Sequence, residues 1–241
     1  MEANASSGAA TGGDSALARI TGVFFSPVRT LEAIARRPAW LAPVVLWLLA
    51  SLGITAVVVP RLDFEKMTRE RLEKSGQTVP EERVQSMVEQ QKRFAPVFGY
   101  VWAAISSVAI QLLVAVVLWG AFRAFGWDST YRQALGVTSH AFLPGVVGAL
   151  LLMPLVARQS RVDPAGLGDL LRSNLGFLVE RDSKVLHSLL GSIDFFSFWT
   201  IALLTIGLAA AAKVRRGQAA AVIVTLWILY VLGKAGFAAI F

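Results

Sequence analysis

The sequence predicts an all-α, polytopic membrane protein: a bundle of five transmembrane helices with an N-terminal amphipathic interfacial helix and an extramembrane helical hairpin. Three observations predict it. Of 241 residues, 55% are hydrophobic and only 16% charged, where a soluble domain carries about a quarter charged. The charges are clustered, which leaves uncharged runs over residues 38–60, 94–122, 133–157 and 195–212. A fifth run, 217–241, holds the single charge Lys234. About 20 apolar residues cross a hydrocarbon core; the fourth run reaches that length once Ser192 and Ile193 are counted.

Taken in order, residues 1–15 are small and polar, with neither the basic nor the apolar region of a signal peptide, and are expected to be a disordered tail. Residues 16–37 carry Leu17, Ile20 and Phe24 at helical spacing, then Ser26-Pro27. Serine as N-cap and proline at the first helical position start a second helix, with Leu31, Ile34 and Ala35 on one side and Arg29, Arg36 and Arg37 nearby. An arginine-bearing amphipathic segment directly before an apolar run belongs in the membrane interface. The five spans are expected at about 39–60, 96–123, 133–157, 192–213 and 217–240.

Residues 61–94 read as a charged helical hairpin. Glu65/Arg69, Glu70/Lys74 and Glu89/Arg93 are i,i+4 pairs, Gly76 breaks the first helix, and Pro80-Glu81-Glu82 opens the second. Residues 158–191 place Leu167, Leu170, Leu171, Leu175 and Leu178 at helical spacing, which predicts an amphipathic helix on the outer surface. The short basic loops around 126–131 and 213–217 put the N-terminus in the cytoplasm by the positive-inside rule and the C-terminus on the opposite side. A raw count of Lys and Arg runs the other way, but it is dominated by the longer connections, where the rule is weak.

No Asp or Glu lies inside a span, and the protease, Walker-loop and nucleophile-elbow motifs are missing. With no cysteine, thiolate chemistry is excluded. An enzyme, a cofactor and a metal are therefore not expected. The net charge of +7 sits at span ends, not in a basic patch with interleaved aromatics, so nucleic acid is not an expected partner. The residues that could carry function at membrane depth are polar and uncharged. Gln111 falls near the middle of the second span, with Ser107 one turn before it. His140 lies about two turns into the third, and Thr205 is in the fourth. Intramembrane ionisable groups mark functional sites, yet each of these also serves as an interhelical hydrogen-bonding residue. Pro144 should kink the third span, Asp194 should cap the fourth, Gly207 should allow close helix approach, and Lys234 should snorkel to the outer headgroups.

Two segments resemble a known family. Phe24-Phe25-Ser26-Pro27, with Ala33-Ile34-Ala35-Arg36-Arg37-Pro38-Ala39-Trp40, resembles the opening of bacterial members of the Ypt-interacting protein (Yip domain) family. Ser192-Ile193-Asp194-Phe195-Phe196-Ser197-Phe198-Trp199, running into Leu204-Thr205-Ile206-Gly207-Leu208, is similar to its S-x-D-x-F-x-x-W … L-x-x-G-L signature. The resemblance covers about residues 20–241 and implies five spans with termini on opposite sides. Eukaryotic relatives bind small GTPases. This chain lacks their Asp-Leu-Tyr-Gly-Pro motif and long N-terminal region, so a small-GTPase partner does not carry over.

The function expected is that of a non-enzymatic, multi-pass inner-membrane protein that organises the membrane or scaffolds a partner. Its partners are the lipid bilayer and a membrane protein, either a different one or a second copy. The alternative is a transporter or lipid-handling permease whose pocket is lined by Gln111, His140 and Thr205.

Overall fold

Apolar surface and backbone satisfaction together force this chain into helices, because a helix hydrogen-bonds its own backbone within the hydrocarbon. The computed structural model describes residues 15–240. The tail expected over 1–15 lies outside the described residues except for Ser15, whose hydroxyl accepts the Ala18 N–H and caps the first helix. The helices are α1 (Ala16–Phe25), α2 (Pro27–Arg36), α3 (Leu41–Val58), α4 (Phe64–Lys74), α5 (Glu81–Ala124) and α6 (Tyr131–Ala141). They continue with α7 (Leu143–Ala157), α8 (Leu167–Leu170), α9 (Lys184–Leu190), α10 (Phe195–Ala212) and α11 (Arg216–Ile240). Five segments are long and apolar enough to span a bilayer: α3, α5, α6 with α7, α10 and α11.

The centre of the bundle is α6. Every residue from Ala134 to Ala141 is buried, because α1, α2, α3, α5 and α10 all pack around this one helix. Small residues make that crowding feasible. Gly207 of α10 approaches α6 so closely that an added methyl would overlap Val137. Gly136 of α6 also packs closely: a methyl added there would stand 3.3 Å from Pro38 and 3.5 Å from Ile34. A capping box formed by Thr130 and Gln133 starts α6, and Gln133 also donates to the Ala35 carbonyl at 2.9 Å.

The N-terminal amphipathic segment is a two-helix hairpin built into the bundle. Gly22 of α1 nearly touches Thr30 of α2, so the two helices run back on each other. Val23, Leu31 and Ile34 are fully buried in the same core as Leu203, Leu208 and Phe122. At the turn, the Phe24 ring packs edge-on against Trp199 at 5.6 Å. Trp199 lies about 20 Å from the Lys213 end of α10 at ~1.5 Å per residue. At the open end of the hairpin, Arg19 donates to the Arg37 carbonyl at 2.9 Å. The pair therefore runs from the N-terminal face along the bundle, and its tip residue Phe25 is 86% exposed.

On the opposite face α4 and the start of α5 form the charged hairpin. Phe64, Val84 and Val88 are its small core, Gly76 turns the chain at φ 65°, and Gln91 donates to the buried Thr68 hydroxyl at 2.9 Å. Of the three expected pairs only Glu65/Arg69 forms, at 3.2 Å. Glu70 is taken by Lys66 and Glu89 by Lys92, and Arg69 reaches across to Glu81 at 2.6 Å. The hairpin and the second span are joined more intimately than expected. α5 is a single helix of 44 residues, about 66 Å long at ~1.5 Å per residue, against a hydrocarbon core of about 30 Å.

The single amphipathic helix expected over 158–191 is not formed. This connection folds as short pieces, including α8, α9 and single turns at Pro164–Gly166 and Gly176–Leu178. Arg172 adopts φ 51°, and the Asn174 side chain accepts from the Gly176 N–H at 2.8 Å while donating to the Gly168 carbonyl. These local bonds stop a helix that leucine periodicity alone would continue. Two isolated bridges, Leu62 with Val162 and Asn174 with Asp194, tie the connection down. Side-chain contacts do the same: Lys66 to Asp163 at 2.7 Å and Arg181 to Asp169 at 3.2 Å are ion pairs, and the His187 ring lies 3.1 Å from Asp169.

Replacing Gly207 by leucine should lower stability by about 1–3 kcal/mol through overpacking against Val137. Gly233→Leu, at a position with open space around it, should change it by less than about 0.5 kcal/mol; thermal unfolding in detergent compares the two. The Asp63 carboxyl is held below its ordinary value by the Lys66 backbone N–H and then by Arg161. Its contribution to docking the hairpin is present above the unfolded carboxyl's value of about 3.8 and is lost as pH falls through the lower folded one. Hydrogen exchange of the first turn of α4 should accelerate over that acid window, and Asp63→Asn should remove the pH dependence.

Candidate functional site

The polar groups at membrane depth gather on and beside α6. Thr138, Ser139 and His140 follow one another there at 0–1% exposure, and Gln111 of the neighbouring α5 is fully buried. Their hydrogen bonds are mostly local. His140 Nδ1 lies 2.8 Å from the Gly136 carbonyl, so that nitrogen carries a proton and donates. Ser139 also donates to Gly136, at 3.1 Å, and Gln111 Nε2 donates to the Ser107 carbonyl at 3.1 Å. Each bond stays within its own helix.

Two polar atoms are left over. Gln111 Oε1 and Thr138 Oγ1 are buried without a hydrogen-bond partner, an arrangement that costs about 1–3 kcal/mol for each unsatisfied group. Thr205 is half-buried. No hydrogen bond joins any two of Gln111, His140 and Thr205 among the described residues. The clefts nearest the spans lie at the surface, one beside Phe125 and Gln218 and another beside Trp40 and Leu41. None of the three polar residues lines either cleft.

The other expected positions have structural work. Pro144 stands at the start of α7, where the third span breaks at Phe142 and resumes; proline has no N–H for the preceding turn and its ring crowds that turn's carbonyl. Next to it, Gly145 lies hard against the Trp47 ring, so the kink also seats α3. Pro27 begins α2, but the Ser26 side chain forms no cap bond; its backbone N–H donates to Gly22 at 2.8 Å instead. Lys234 donates to Ser192 Oγ at 2.8 Å, at the start of the fourth span. Thr138 and Ser139 were not singled out in sequence, since single hydroxyls are common in spans.

Along α10 the motif residues line up as contacts. Asp194 accepts from the Ser197 N–H at 2.9 Å and caps the helix. Phe196 lies 3.4 Å from where a Gly148 side chain would begin. Trp199 meets Phe24 and Phe195, and Gly207 meets Val137. The Yip1 domain matches residues 21–237. The chain belongs to the Yip1 domain family. It is also 26% identical over 189 residues to "Membrane protein YknW" of Bacillus subtilis (strain 168), covering 78% of this chain and 75% of that one. No solved structure matches. For this Yip1-domain protein, the α10 signature is structural: Asp194 caps the helix, while Phe196, Trp199 and Gly207 meet α7, α1 and α6.

Because the Gln111 carbonyl oxygen is buried without a partner, Gln111→Leu should leave stability unchanged or raise it by about 1 kcal/mol. Thermal unfolding of the purified protein checks this. A clear loss would mean that the amide makes bonds across the bundle.

Proposed function

We propose that this multi-pass Yip1-domain protein is non-enzymatic, has its N-terminus in the cytoplasm of the cell membrane, and works by scaffolding a membrane partner or a second copy. The observation that carries this reading is the long α5. One continuous helix, with Pro96 inside it where the hairpin meets the span, carries the α4–α5 hairpin beyond the second span. Its outward residues, among them Glu73, Glu82, Arg83 and Glu89, are exposed and charged. A charged arm offers specificity and steering to a partner and has no catalytic geometry of its own. The local hydrogen bonds of His140 and Gln111 support the same reading, because a permease would use such groups across a passage and not within their own helices.

The chain has no cysteine, so Ser75→Cys places one unique thiol at the exposed tip of the hairpin. An impermeant maleimide should label it from outside only, and a photo-crosslinker there should join it to one discrete membrane protein or to a second copy. Reversing Glu82, Arg83 and Glu89 together should abolish that product. Labelling from the cytoplasm alone would overturn the orientation. An unchanged crosslink pattern after the reversals would overturn the scaffold reading.

A further inference from the structure

Between α1, α3 and the start of α6 lies a groove of about 810 Å³. Its long wall is a stripe of α3: Leu41, Val45 and Leu49 are 61%, 41% and 59% exposed at i, i+4 and i+8, a run of about 12 Å at ~1.5 Å per residue. Ile20 closes one side, and Trp40 stands at the mouth, where indole favours the headgroup level. The only charged residue in the lining is Arg132.

Arg132 differs from its loop neighbour. Arg123 is held by Asp128 at 3.2 Å, whereas Arg132 is exposed and has no ion pair among the described residues. More cations stand at the same corner. Pro38 of the rim directly follows Arg36 and Arg37, and the Arg19 guanidinium sits on the Arg37 carbonyl. The acid of α2, Glu32, faces Arg216 at 3.8 Å. An apolar trough along α3, in the span region, with a guanidinium at its polar end, has the amphipathic pattern of a phospholipid. Guanidinium forks match phosphate oxygens, and a surplus of positive charge disfavours the ammonium of a zwitterionic headgroup.

We propose that this groove holds one anionic glycerophospholipid, with its phosphate on Arg132 and an acyl chain along Leu41, Val45 and Leu49. The headgroup lies on the face that carries the N-terminus, whichever compartment that face meets.

Native mass spectrometry of the protein released from nanodiscs of mixed phosphatidylethanolamine and phosphatidylglycerol tests the site. The wild-type chain should retain one phosphatidylglycerol in preference to phosphatidylethanolamine. Arg132→Gln should lower that retention about fivefold, the worth of one basic residue at an anionic surface, and Arg132→Lys should lower it less, because the charge is kept while the guanidinium fork is lost. Arg123→Gln should leave it unchanged. Leu49→Trp, which fills the trough, should lower retention while unfolding at the wild-type temperature. Equal losses in Arg123→Gln and Arg132→Gln would reduce the effect to diffuse surface charge and overturn the proposal. So would equal retention of the two lipids, or displacement by inorganic phosphate without any effect of Leu49→Trp.

Discussion

The architecture depends on how closely α10 can approach α6. In a membrane, lipid tails are as apolar as leucine, so helices are joined by close van der Waals packing and not by escape from water. Gly207 provides that contact: its missing side chain lets Val137 rest on the α10 backbone. Once α6 and α10 are this close, the remaining helices have fixed places. The N-terminal hairpin packs on both, α5 covers the other side of α6, and α3 follows α7 through Trp47 and Gly145.

Burying α6 on all sides makes its polar residues matter. A helix surrounded by apolar neighbours cannot pass hydroxyls or an imidazole to water, so they turn to the nearest carbonyls. Ser139 and His140 both use Gly136. Among the described residues, the Gln111 carbonyl oxygen and the Thr138 hydroxyl stay unsatisfied on and beside α6. The same logic explains why charges stay at the ends. On the face opposite the N-terminus, carboxylates and guanidiniums form a connected surface network that docks the 158–191 connection onto the α4–α5 hairpin. Each exposed pair contributes little alone; their value lies in joining two segments nearly a hundred residues apart.

The two hairpins have opposite characters. One is amphipathic, packs its apolar face into the bundle and leaves Phe25 exposed. The other is charged and stands outside the bilayer on the extension of α5. The bundle therefore carries an N-terminal hairpin packed into its core at one end and a charged hairpin on the extension of α5 at the other. Its family signature on α10 supports that arrangement as a set of packing contacts.

The sequence by itself determined the helical class, the five spans, the Asp194 cap, the Pro144 kink and the charged hairpin. Each rests on local chemistry: hydrophobic length, a missing N–H, a carboxylate beside free N–H groups. Other features needed the tertiary structure. Gln111, His140 and Thr205 share similar depths, yet whether they meet depends on helix rotation, which an all-apolar span leaves unspecified because it has little moment to orient it. The leucine period over 158–191 promised a helix, and Asn174 and the φ of Arg172 stopped it with bonds that periodicity does not register. The N-terminal segment announced its two helices at Ser26-Pro27, but its place inside the bundle follows from Gly22, Phe24 and Trp199 meeting residues far away in the chain. Contacts of that kind are set by the whole bundle and by no single stretch of it.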